Sequence, residues 1–214
     1  QYDLEKTKKK FETHLEEIVE LRAIVHTQPY LTGIGMKTPQ IAEIKIGCSK
    51  IEEGYQYGLS LLGKEVLIRD VFKAGEFVDT IGVTKGKGFQ GPVKRHGIKI
   101  LQHKSKGTKR GVGSIGPWTP SRTMWTIPRS GQMGFNIRTE YNKRIMQIGS
   151  DGSQIVPKGG FVKYGVVKNN YVLLKGSVPG PKKRTILLRE PVRKAPQPEK
   201  EPQILYISTR SQQG

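Results

Sequence analysis

Between Asp79 and Glu140 the chain runs for 60 residues without an acidic side chain, and twelve lysines and arginines fall in that interval. Such a window cannot neutralise itself. Packed into a core, its cations would repel one another in a medium of low dielectric. It also lacks the means to build a core. From Thr84 to Met133, glycines and cations recur with little amphipathic periodicity. Compact domains seldom carry structureless loops beyond about 15 residues. A segment with so little apolar surface to bury is expected to be disordered alone, or ordered by a partner.

The window sets the chain's charge balance. Residues 1–79 hold 11 basic and 13 acidic residues, a net of −2. Residues 80–139 contribute +12, and residues 140–214, with 14 basic and 5 acidic, contribute +9, which together give the net charge of +19. The basic character is therefore regional. The pI is close to 10.0. The commonest partner for such a surface is a nucleic acid, with an anionic membrane second. No apolar run approaches the roughly 18 residues of a spanning helix. The best amphipathic segment carries Glu12, Glu16, Glu17 and Glu20 on its polar side, the wrong sign for an anionic surface. No membrane partner is expected. The opening QYDLEKTKKK does not read as a signal peptide, and without an initiating Met it reads as a fragment or a trimmed chain. The single cysteine, Cys48, excludes an internal disulfide and a multi-cysteine zinc site. In AEIKIGC it reads as a small buried hydrophobe.

The flanks carry regular patterns. DLEKTKKKFETHLEEIVELR predicts an amphipathic helix with Phe11, Leu15, Ile18 and Val19 on one face and Asp3 as its N-cap. AIVHTQ predicts a strand, IAEIKIG a half-buried strand, and SKIEEGYQYGLSLLGK a second helix with Gly63 near its end. EVLIRDVF reads as extended. FVDTIGVT predicts a strand, and GFNIRTEYNKRIMQIG one or two more. FVKYGVV and NYVLLKG around KNN predict a β-hairpin. PGPKKR is a basic turn, TILLRE a strand, and ILYIS a last edge strand after a Pro-rich tail. Short strands separated by turns suggest a small barrel. There is no internal repeat.

GKGFQGPV fits the dinucleotide pattern G-x-G-x-x-G and the kinase pattern G-x-G-x-x-G-x-V. The dinucleotide reading needs a helix after the glycines and an acid about 20 residues on. Pro92 follows Gly91 at once, VKRHGIKILQHKSKG has no clean helical face, and no acid precedes Glu140. The kinase reading lacks its catalytic loop and its metal-binding D-F-G. What remains is the chemistry of Gly and Lys. Glycines permit close backbone approach, and successive N–H groups can cradle an anion. Lys85, Lys87, Lys94 and Arg95 add charge, with the planar fork of Arg suited to phosphate oxygens. A row of such groups suits a continuous phosphate backbone better than one nucleotide. No cofactor, metal or small-molecule substrate is expected. His96 and His103 lie seven apart with no Cys or acid nearby, which suits a contact to phosphate or sugar better than a metal.

Trp118 sits between two prolines in GPWTP, which stiffen what reads as a loop tip. A rigid indole on a basic tip can stack on an unpaired base or pack on a sugar. Trp125, in TMWTI, reads instead as packing inside the loop's own stem. The sequence shows no recognition-helix signature, and extended, Gly-rich basic chain suits the irregular surface of folded RNA.

DTIGVTKGKGFQGPVKRHG, GSIGPWTPSRTMW, SGQMGFNIRTEYNKRI, FVKYG and LLKGSVPGPKKR, in this order, closely resemble the large-subunit ribosomal protein L-three family over at least residues 70–190. The Pro-Trp tip resembles the archaeal or eukaryotic branch. The resemblance implies a β-rich fold: a small six-stranded translation-protein-type β-barrel with an α+β insertion and a long extended basic loop. Residues 1–70 would be the inserted unit, 71–84 and 136–190 barrel strands, 85–135 the rRNA-penetrating loop, and 191–214 a Pro-rich tail. The family's early basic segment and first barrel strand are not in this sequence, so a substantial N-terminal part is expected to be missing and the barrel incomplete.

The resemblance also implies a role without catalysis. The chain would bind large-subunit rRNA near its 3′ end, touch neighbouring ribosomal proteins, act early in assembly, and reside in cytoplasmic ribosomes. Pro117, Trp118 and Thr119 would form the loop tip near the peptidyl transferase centre. The expected rRNA contacts are Lys85, Lys87, Phe89, Gln90, Lys94, Arg95, His96, Lys99, His103, Lys104, Lys106, Lys109, Arg110, Trp118, Arg122, Arg129, Arg138, Lys143, Arg144, Lys182, Lys183 and Arg184. The rival readings are a nucleotide-using enzyme, a basic membrane-surface protein and an extraribosomal nucleic-acid chaperone.

Overall fold

The computed structural model describes residues 4–193 and 202–213. The proposed cap Asp3 and the middle of the Pro-rich tail lie outside these. In chain order the elements are α1 (Leu4–Thr13), β1 (Arg22–His26), β2 (Ile41–Lys45), α2 (Ile51–Leu61), α3 (Ile68–Val71), β3 (Phe77–Val83) and β4 (Phe89–Gln90). Then come α4 (Pro92–His96), β5 (Gly131–Gln132), β6 (Ile137–Gly149), β7 (Tyr171–Leu174) and β8 (Leu187–Arg189). The fold is mixed, strand-rich with few helices, and the described strands form no closed barrel. The chain divides into two compact units. The first takes Gln1–Glu76, Arg144–Lys175 and Gln197–Gly214, and the second Phe77–Lys143 and Gly176–Pro196.

In the first unit, α1 stops well short of the helix its periodicity predicts. The Thr13 hydroxyl donates back to the carbonyls of Lys9 (3.2 Å) and Lys10 (2.9 Å), which competes with the next helical turn. A 3-10 turn at Leu15–Glu17 follows, and Ile18 is extended at φ −81°, ψ 123°, a backbone that suits its β-branched side chain. Val19 therefore leaves the predicted apolar face and is exposed, whereas Phe11 stacks on Tyr55 of α2 with ring centres 6.1 Å apart. β1 and β2 pair antiparallel from Arg22↔Lys45 to His26↔Ile41. β2 is exposed at every position, not half-buried, because a two-stranded ribbon has little area with which to cover a face. α2 forms as its pattern predicts, and Gly63 lies beyond it at φ 75°. Cys48 is exposed, contrary to its apolar flanks.

EVLIRDVF is not extended throughout. It contains the single turn α3, because the Asp70 carboxylate accepts the Leu67 backbone N–H at 3.0 Å and caps it. The expected hairpin of FVKYGVV and NYVLLKG does not form either. Phe161–Gly165 closes on itself, with the Phe161 N–H donating to the Gly165 carbonyl at 2.9 Å. β7 pairs instead with the end of β6, from Ile145↔Leu174 to Gly149↔Tyr171, with a bulge between Ile145 and Gln147. ILYIS is not a strand. Its neighbourhood is held by single bonds, Lys158 N–H to the Thr209 carbonyl (2.9 Å) and the Gln213 amide to the Gly159 carbonyl (2.7 Å).

In the second unit β3 lies between β8 and β6. Its pairing with β8 runs Asp79↔Arg189, Thr80↔Leu188 and Ile81↔Leu187. Val78, Asp79 and Thr80 have no exposed surface. Among the described residues the buried large apolar side chains are Tyr55, Val78, Ile145, Ile155 and Tyr171. None lies in the acid-free window, and no residue from Thr84 to Glu140 is buried.

Candidate nucleic-acid interface

The window leaves β3 and returns to β6 as a paired stem. Thr84 N–H donates to the Asn136 carbonyl (3.0 Å), Phe135 N–H to Lys85 (3.3 Å), Lys87 N–H to Met133 (2.9 Å) and Met133 N–H to Gly88 (2.9 Å). β4 and β5 extend the ladder with Phe89↔Gln132 and Gln90↔Gly131. Gly134 makes this pairing possible. At φ +72° it holds a left-handed backbone, and a Cβ there would sit 2.1 Å from the Lys85 carbonyl oxygen. Beyond the ladder, Arg95 staples the two arms, donating to the carbonyls of Arg129 (2.9 Å) and Gln132 (3.1 Å).

A second arginine grips the root of the stem. Arg184, the last residue of the PGPKKR turn, donates to the carbonyls of Val83 (3.0 Å) and Thr84 (3.1 Å) on the outgoing arm. Its guanidinium also stands 5.4 Å from the ring centre of Phe135 on the returning arm. Gly180, at φ +104°, brings that turn so close that a Cβ would lie 2.8 Å from the Val83 carbonyl oxygen.

The two acids that bound the window are anchors. The Asp79 carboxylate accepts the N–H groups of Asn142 (3.0 Å) and Val192 (3.1 Å) and pairs with Arg189 (3.2 Å). Burial pushes its pKa up, but those backbone donors and the guanidinium outweigh burial and hold it below its ordinary value. Glu140 pairs with Lys143 at 2.6 Å and accepts the Ser177 hydroxyl at 3.1 Å. The Lys143 contact chiefly lowers its pKa, against the opposing effect of burial. Neither acid faces the window's cations as a free counter-charge.

A profile of the family described as Ribosomal protein L3 matches residues 1–214. The chain belongs to the ribosomal protein L3 family. It is 58% identical over 201 residues to the "Large ribosomal subunit protein uL3" of Methanococcus aeolicus, covering 93% of this chain and 60% of that protein. To the protein of the same name from Methanocaldococcus jannaschii it is 56% identical over 211 residues, 98% of this chain and 63% of the relative. To that of Methanothermobacter thermautotrophicus it is 51% identical over 217 residues, 100% of this chain and 64% of the relative. The chain therefore spans somewhat under two thirds of the length of these relatives.

In this L3-family chain most of the expected contact residues stand in the open. Lys85, Lys87, Phe89, Lys94, Arg95, His96, Lys99, His103, Lys104, Lys106, Lys109, Arg110, Pro117, Trp118, Thr119, Arg122, Arg129, Arg138, Lys182 and Lys183 are exposed. Gln90, Lys143, Arg144 and Arg184 are half-buried. Arg95, Lys143 and Arg184 are committed to protein partners, and the Gln90 amide to the Lys87 carbonyl at 2.6 Å. These four are placed to shape the window.

Three expectations about the window need correction. Pro92 does not preclude a helix: it opens the single turn α4, because its missing N–H and fixed φ suit a first helical position. The glycine loop is nevertheless no dinucleotide site, since β4 before α4 pairs antiparallel with β5. Successive N–H groups of the glycine loop were expected to be available to an anion, but the Lys87 N–H among them is spent on Met133. Trp125 does not pack in the stem: it is 93% exposed, close to the 95% of Trp118. Sequence reading also missed the anchoring of Asp79 and Glu140, although their position at the two ends of the acid-free run was a visible signal.

Proposed function

We propose that the chain is a non-catalytic structural constituent of the large ribosomal subunit and that the acid-free window docks into large-subunit rRNA. The observation that carries this reading is the window itself. It is a 60-residue acid-free segment on a hydrogen-bonded stem, and from Thr84 to Glu140 no residue is buried. Such a segment gains its order from an external polyanion. The naming of its relatives as large ribosomal subunit proteins supports rRNA as that polyanion. The finer features follow the family resemblance: contact near the rRNA 3′ end, early action in assembly, neighbouring ribosomal proteins as further partners, and residence in cytoplasmic ribosomes. The sheet around β3 would be part of the family's six-stranded barrel, residues 1–70 the inserted α+β unit, and 85–135 the penetrating loop. Two arms of about 25 residues reach at most roughly 80 Å when fully extended. That is enough to carry Pro117, Trp118 and Thr119 toward the peptidyl transferase centre.

Filter binding of the chain to a 3′-terminal fragment of large-subunit rRNA at a series of salt concentrations tests this. If about eight phosphates are neutralised, log K falls with log salt at a slope near −6 to −7, roughly 10⁴-fold between 50 and 200 mM. Stoichiometric, salt-insensitive binding of ATP or NAD, with no affinity for the rRNA, would sink the reading.

A further inference from the structure

Trp125 stands at the corner of a turn. The Ile127 N–H donates to the Met124 carbonyl at 3.2 Å, which puts Trp125 and Thr126 at the two central positions. A turn so closed projects its corner side chain outward, and the indole is 93% exposed. Met124 beside it is half exposed. Tryptophan is large and apolar and is ordinarily among the better-covered residues of a fold. Here both tryptophans of the chain, seven positions apart, are open to solvent.

The local charge says what could cover the second one. Arg122 and Arg129 are both exposed and lie three and four residues to either side. The nearest acids in the sequence are Glu140, 15 residues on, and Asp79, 46 residues back. An exposed π-face flanked along the chain by two exposed arginines, with no acid within 14 residues in sequence, matches an unpaired nucleobase with its flanking phosphates. We propose that Trp125 is a second nucleobase-stacking residue of the window, acting on an unpaired base of the RNA that the window enters. This rests on the rRNA-binding reading. Seven residues of chain span at most about 25 Å, so the two indoles would take separate nucleotides of one RNA surface.

The chain has only two tryptophans, so each can be watched alone. In the Trp118→Phe chain every indole photon comes from Trp125, and in the Trp125→Phe chain from Trp118. The free Trp118→Phe chain should be quenched freely by acrylamide. With saturating large-subunit rRNA fragment, its emission should drop and its acrylamide quenching constant fall at least threefold. In the otherwise natural chain, Trp125→Ala should weaken rRNA binding by on the order of tenfold, and Trp125→Tyr should recover most of that loss. Shielding of Trp125 in the free chain would overturn the proposal, because the residue would then be packing in its own stem. Unchanged accessibility while filter binding shows the Trp118→Phe chain on the RNA would overturn it and leave the rRNA reading intact. Recovery by Trp125→Leu as complete as by Tyr would overturn stacking in favour of plain apolar packing. Absence of rRNA binding by any form would remove both.

Discussion

Asp79 is a wholly buried carboxylate in a chain of net charge +19, and its neighbours explain why it stays ionised. Two backbone N–H groups and one guanidinium converge on it, one from β6, one from the chain after β8 and one from β8 itself. Truncation would strand those donors. Asp79→Ala should lower unfolding stability by on the order of 2–4 kcal/mol, read by urea denaturation. The depressed pKa fixes the sign of the pH dependence. The stabilisation is fully present above the carboxyl's unfolded pKa, about 4, and is lost as pH falls through the lower folded value. The Asp79→Asn chain should therefore lose less stability than the natural chain on acidification below about pH 4. Equal acid sensitivity of the two would show that Asp79 is already neutral in the fold. The sequence marked Asp79 as the end of the acid-free run but not what holds it, since FVDTIGVT reads only as a strand. The donors come from residues 63, 110 and 113 positions away.

The stem is the element on which the candidate interface depends, and Gly134 is its tightest point. Gly134→Ala would add a Cβ against the Lys85 carbonyl at a left-handed backbone position, so the pairing must open locally. Amide exchange at Lys87, Met133 and Phe135 should accelerate by on the order of tenfold or more, while β3 amides hold their protection. Unchanged exchange at those three amides would show that the stem does not need glycine there. Elements that carry their own pattern were predictable: β3, β6, β8 and α2 all lie where their apolar residues put them. Elements that depend on one local residue were not. Asp70 makes α3, Thr13 ends α1, and Pro92 opens α4, each through its effect on nearby backbone groups that competes with the wider pattern. The partner of β7 was misread for a different reason. Sequence proximity favours the hairpin with 161–167, whereas β6 offers a longer edge.

At the scale of the entire chain, the division is between parts that bury residues and the stretch from Thr84 to Glu140, which buries none. Limited proteolysis of the RNA-free chain should cut first between residues 97 and 130, beyond the Arg95 staple, and leave β3 and β6 intact. Adding the rRNA fragment should suppress those cuts. Early cleavage in β3, or protection of 97–130 without RNA, would contradict the view that the window gains its order from a partner.

Charge partition, the acid-free run and the order of short motifs were enough to determine from sequence the strand-rich class and the family. These depend on composition and local spacing, which a linear chain displays in full. Only the tertiary structure decided which cations are free. Arg95 and Arg184 carry the same charge as Lys85 or Arg122, yet they are engaged with carbonyls or an aromatic ring contributed from elsewhere in the chain. It also decided that Trp125 faces outward, because a turn closed by one hydrogen bond, and not residue type, sets where an indole points. Partners far along the chain create the first distinction and a local hydrogen bond the second, and residue type displays neither.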